Sequence, residues 1–127
     1  MENKFTQGYE NLTDNTTLNE RLAQRLEKDS KEIKDRFLKQ SKEDIYNQCF
    51  RIVIYELFEE YINWASEKLE EEELQKNRYF EKLIEQDKNI LELLFDYYNN
   101  LRHPEYYNIY YFYDDVATII ENCVKEL

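Results

Sequence analysis

Across 127 residues the chain carries one glycine, Gly8, and one proline, Pro104. Hairpin turns, bulges and phosphate-cradling loops draw on glycine for positive φ and on proline for a preset turn, so β architectures and nucleotide loops lose their usual material. Long helices remain. The length suits one domain, and hydrophobic residues at 42%, with aromatics at 16%, can fill its core although 35% of the chain is charged. The predicted fold is all-α: a single-domain bundle of four to five helices over residues 17–127. A flexible N-terminal segment, residues 1–16, rich in Asn, Thr and Gln, is expected to precede it.

Thr17 with Glu20 forms a T-x-x-E capping box, in which each side chain can satisfy a backbone N–H of the other residue, so a first helix is expected to start there. Leu18, Leu22, Leu26, Ile33 and Phe37 recur near the 3.6 period as a narrow stripe. A stripe that thin suggests a peripheral arm, with Arg21, Arg25, Lys28, Lys31, Lys34, Arg36 and Lys39 on its solvated faces. Ser41 and Asp44 repeat the cap and open a second helix at 42–68. Its residues Ile45, Cys49, Ile52, Val53, Leu57, Tyr61 and Trp64 follow one stripe, and Phe50, Ile54, Phe58 and Ile62 widen it, which predicts a central helix.

Leu74, Phe80, Leu83 and Ile84 mark a third amphipathic segment. Asp87 can cap a fourth, in which Ile90, Leu91, Leu94, Tyr97, Tyr98 and Leu101 face inward, Arg102 lies in the last turn and Pro104 enforces the stop. The pattern leaves open whether these two are separate or one bent helix. After an aromatic linker at 105–113, Asp114 or Asp115 starts a last helix carrying Val116, Ile119, Ile120, Cys123, Val124 and Leu127.

The net charge is -11, and its distribution is uneven. From Met1 to Gln40 eight basic residues balance eight acidic ones, so nine basic and twenty acidic residues remain for the body of the chain. Such a field repels nucleic acid and anionic membrane and favours a basic partner, although acidic excess also serves solubility alone. Basic residues of the first helix are interleaved with Glu27, Asp29, Glu32 and Asp35, which argues against direct nucleic-acid binding. Neither a signal-peptide run nor a membrane span is present, so the expected location is the cytoplasm. Cys49 and Cys123, widely separated and inside apolar patterns, read as buried free thiols.

The vocabulary of active sites is nearly empty. His103 is the only histidine, so His-based metal clusters and paired E-x-x-H di-iron motifs cannot be assembled within one chain. A Ser or Cys nucleophile would need His103 as its base, yet it sits beside Pro104 at a helix end without a nucleophile elbow. No pair among the 28 acidic residues is singled out for acid and base work. The expectation is a chain without catalytic residues, metal or cofactor.

Two features invite a binding role. Glu56, Glu59, Glu60, Glu67, Glu70, Glu71, Glu72 and Glu73 form an acidic belt, of which 56, 59, 60, 67 and 71 fall on one helical side. Like charges one turn apart repel, so such a ridge invites a basic surface; its plain alternative is a solvated face. The second feature is Tyr106, Tyr107, Ile109, Tyr110, Tyr111, Phe112 and Tyr113, closed by Asp114 and Asp115. Seven large side chains in eight positions cannot all turn to one small core. Exposed tyrosine beside carboxylate is a hot-spot composition, the alternative being that these rings roof the bundle.

His103-Pro104, then Ile109-Tyr110-Tyr111, then Asp114-Asp115 and the helix Val116 to Lys125 resemble a stretch of the colicin-type nuclease immunity proteins. There a helix ends in His-Pro, a short Ile-Tyr-Tyr helix follows, and acidic residues precede the final helix. That family's Gly-Ser-Asp lead and the proline after its tyrosines are absent here, and the first helix is an addition. The resemblance implies a small acidic bundle that binds and blocks a nuclease, with Tyr110 and Tyr111 at the contact. In size, acidity and Asn/Lys/Tyr-rich composition the chain is also similar to anti-CRISPR proteins that occupy Cas nucleases as acidic mimics. The functional expectation is a non-enzymatic inhibitor of a basic nucleic-acid-processing protein, a nuclease or Cas effector. The alternative is a helical interaction module that self-associates or packs on another helical protein, and oligomeric state stays open.

Overall fold

A computed structural model of the chain describes residues 17–68, 70, 79–107, 109 and 113–127. The expected N-terminal segment 1–16 lies outside them. The described elements are all helical: α1 (Leu18–Leu38), α2 (Lys42–Asn47), α3 (Cys49–Lys68), α4 (Tyr79–Ile84), α5 (Ile90–Asn99), a 3-10 turn at Pro104–Tyr106, and α6 (Tyr113–Lys125). No strand occurs among the described residues.

Local chemistry accounts for several boundaries. Both halves of the capping box form at the start of α1: Thr17 Oγ1 accepts from the Glu20 N–H at 3.1 Å and Glu20 Oε1 accepts from the Thr17 N–H at 3.0 Å. Ser41 Oγ accepts the Asp44 N–H and opens α2. The helix expected over 42–68 is interrupted at Gln48. Its side-chain amide donates to the Asp44 carbonyl at 3.1 Å and to Gln40 Oε1 at 2.9 Å, supplying from the side what the main chain gives up. The third and fourth segments are separate helices, and with the break at Gln48 this raises the α-helix count above the four or five expected. Asn89, not Asp87, caps α5: its Oδ1 accepts from the N–H groups of Leu91 and Glu92. α5 ends at Asn99, so Arg102 lies beyond its last turn.

α3 is the central helix, packing against α1, α2, α5 and α6. Two apolar stripes compete on it, and the inward one is Ile54, Phe58, Tyr61, Ile62 and Ala65. Of the stripe through Cys49, Ile52 and Val53, Tyr61 is buried and Leu57 and Trp64 pack partly against the core, while Cys49 is exposed, contrary to the expected burial, and Val53 is 40% exposed. Aromatic contacts explain the choice. Tyr55 lies 5.5 Å from Phe95, Phe58 meets Tyr98 edge-on at 6.4 Å, and the Arg51 guanidinium sits 4.3 Å above the Phe95 ring. Phe95, absent from the predicted inward face of α5, is thus a buried hub of the core.

The peripheral-arm expectation for α1 is corrected. This helix packs on α3, α4 and α5 and buries Leu18, Leu22, Leu26, Asp29, Ser30 and Ile33. Arg25 donates to the carbonyls of Ile84, Gln86 and Lys88, so its guanidinium closes the turn between α4 and α5. Asn89 donates to the Asp29 carbonyl and to Glu32 Oε1, and the second bond holds the Glu32 carboxyl below its ordinary range. Arg25, assigned to a solvated face, is therefore part of the joint that docks α1 in its own bundle.

Candidate functional site

The outward face of α3 is set by its inward one. With Ile54, Phe58, Ile62 and Ala65 in the core, the 3.6 period carries Glu56, Glu60 and Glu67 to the opposite side, where all three are exposed. Glu59 stands at the edge of this ridge, its side chain 30% exposed and 3.8 Å from Lys34 Nζ of α1. Among the described residues, Glu56 and Glu67 have no cation within ion-pair distance. Glu70 is exposed just past the helix. Glu71, Glu72 and Glu73 lie outside the described residues.

Beside the ridge, α1 and α3 leave two adjoining clefts. The larger, about 600 Å³, has Gln24, Leu26, Glu27, Lys31 and Lys34 on one wall and Glu59 and Asn63 on the other. The smaller, about 120 Å³, is mainly apolar: Ile33 and Phe37 of α1, Ile52 and Tyr55 of α3 and Leu91 of α5 line it, with Ser30, Lys34, Glu56 and Glu59 also at its wall. Sequence reasoning missed this cleft. Its signal was Ile52, an apolar residue between the inward stripe and the ridge, whose partners lie on two other helices.

The aromatic segment is partly described. Tyr106 is 76% exposed, its ring stacked on His103 at 4.8 Å, and His103 Nδ1 is 3.3 Å from Glu105 Oε1. Tyr107 is half-buried and Ile109 is in the core. Tyr110 and Tyr111 lie outside the described residues, and Tyr113 is the first residue of α6. Asp114 is exposed and Asp115 half-buried in the first turn of α6, where their charge suits the positive end of the helix dipole.

Burial, chiefly, pushes the Tyr61 hydroxyl above its ordinary range, and the Tyr79 hydroxyl and the Asp114 charge push it the same way.

Among the described residues no cluster of three or more His, Cys, Asp or Glu side chains is placed to hold a metal ion. None of their helices is long and apolar enough to cross a membrane. Compared with known proteins, the chain matches no family model, no curated protein and no solved structure.

Proposed function

We propose that this chain is a non-enzymatic acidic inhibitor that docks on a basic nucleic-acid-processing protein, as an anti-CRISPR or a nuclease immunity protein does. The observation that carries the reading is the common outward face of Glu56, Glu60 and Glu67, with Glu59 at its edge. Carboxylates spaced along a rigid helix present the repeated negative charge that a cation-lined groove receives from phosphates, and the steering this gives is electrostatic. Tyr106 and Asp114 add exposed aromatic and negative surface elsewhere on the chain.

The test is titration of the protein into a panel of nucleases, Cas9-type effectors included, at several salt concentrations. Inhibition at one-to-one stoichiometry that weakens steeply with salt is the expected result. Loss of activity that needs no complex, or affinity indifferent to salt, overturns the reading.

One observation favours the second reading, a self-associating helical module. Leu38, Tyr46 and Phe50 are 81%, 76% and 52% exposed, and they cluster in sequence around the corner from α1 through α2 into α3. Sedimentation across a concentration series separates the two: a stable dimer with no affinity for basic proteins supports the module.

A further inference from the structure

The small cleft between α1 and α3 lies against the glutamate ridge, and the two share Glu56 and Glu59. Ligand pockets commonly enclose about 300–1,000 Å³, so about 120 Å³ is too little for a cofactor-sized molecule. It is enough for one side chain of a partner. Its walls fix the character of that side chain: Ile33, Phe37, Ile52, Leu91 and the Tyr55 ring present mostly carbon, with Ser30 and Lys34 also lining it and the Tyr55 hydroxyl accepting from Arg51 Nη1 at 2.9 Å. An apolar anchor is therefore favoured over a polar one.

The rim fixes what flanks the anchor. Glu56 has no cation among the described residues, and Glu59 has only Lys34 at 3.8 Å. A second copy of the chain is a poor occupant, because a net charge of -11 on each would set ridge against ridge. Nucleic acid is excluded by the same repulsion.

We infer that this cleft seats one bulky apolar side chain of a partner polypeptide segment whose neighbouring residues are arginine or lysine. The inference rests on the reading of the ridge as a surface for a basic protein, and it specifies how such a protein is held. Cations alone would slide along the carboxylates; the buried anchor sets the register, as a central hot-spot residue does at an interface.

Three labelled, amidated synthetic peptides test it by fluorescence anisotropy against the whole chain. One has a central phenylalanine with three arginines on each side, the second replaces the phenylalanine by alanine, and the third replaces the arginines by glutamate. The first should bind about tenfold more tightly than the second, the effect of burying one aromatic side chain, and the third should not bind. Ile52→Trp, which fills the cleft from its own wall, should erase the phenylalanine advantage and leave the alanine peptide unaffected. Should that variant fold poorly, amide chemical-shift changes in the native chain give the second readout, expected at Ile33, Phe37, Ile52 and Leu91. Equal binding of the two arginine peptides overturns the anchor and leaves the acidic-surface reading standing. Failure of both arginine peptides to bind overturns the two together.

Discussion

Asp29 Oδ2 accepts the backbone N–H of Ile90 at 2.7 Å, so a carboxylate in the middle of α1 caps the first turn of α5 from across the core. The same oxygen takes the Arg25 Nε–H at 2.9 Å, and Asp29 is fully buried. Its other oxygen, Oδ1, has no hydrogen-bond partner and faces Lys28 Nζ at 3.6 Å. A buried carboxylate is tolerable only while its cations and donors are in place, which makes this joint the polar point on which α1 depends.

Asp29→Ala should accordingly destabilise the fold by about 3–5 kcal/mol, since it leaves Arg25 without its carboxylate and the Ile90 N–H without an acceptor. Asp29→Asn keeps an acceptor and should cost less. Urea titration followed by circular dichroism measures both, and a change within about 0.5 kcal/mol for the alanine variant contradicts the assignment.

The capping box offers a smaller and independent effect. Thr17→Ala removes the acceptor for the Glu20 N–H at an exposed helix start, and a loss of about 1 kcal/mol is expected. The site is remote in sequence from Asp29, so a double variant tests whether the two effects add.

The two thiols should differ sharply toward an alkylating reagent. Cys49 is exposed, whereas Cys123 is buried and its thiol is pushed up to about 11 by burial and by the nearby Glu126 charge. Mass spectrometry after brief treatment at neutral pH should find one modification, at Cys49. The second should appear only on denaturation.

Alkaline pH should weaken the fold. Burial raises the Cys123 thiol from its ordinary 9.0 to about 11, and the hydroxyls of Tyr55, Tyr61 and Tyr79 are raised in the same way. The unfolded chain therefore loses these protons first. Stability is full below pH 9, falls as pH climbs toward 11, and keeps falling as the tyrosines follow. Unfolding midpoints measured from pH 8 upward should decline; a flat profile sinks the prediction.

Glu56→Gln removes a charge from a ridge whose neighbours Glu59 and Glu60 stand one turn away. Stability should rise by about 0.2–0.5 kcal/mol as repulsion is relieved. Affinity for an arginine-rich peptide should fall, which is the opposite direction. A variant that lowers both quantities points to a structural role for Glu56 and removes it from the binding surface.

Much of the fold was legible in the sequence because its signals act over a few residues. One glycine and one proline left helices as the available architecture, and Thr17-Glu20 and Ser41-Asp44 marked helix starts through bonds that close within a single turn. The outward side shared by Glu56, Glu60 and Glu67 follows from the helical period in the same local way. Asp29 was missed although steps of four, three and four from Leu22 through Leu26 to Ile33 put it on the apolar stripe. Its charge suggested solvent, and only its partners on another helix made burial tolerable.

Tertiary contact decided the rest. Two apolar stripes on α3 are nearly equal in sequence, and the rings of Phe95 and Tyr98 on α5 selected the one that turns inward. Asn89 displaced Asp87 as a cap because it also bonds α1 through the Asp29 carbonyl. The apolar cleft beside the ridge was invisible for the same reason: its walls come from α1, α3 and α5, and no single helix contains it. Hydrogen bonds and caps within a turn belong to the local sequence, whereas the direction in which a face points belongs to the surfaces packed against it.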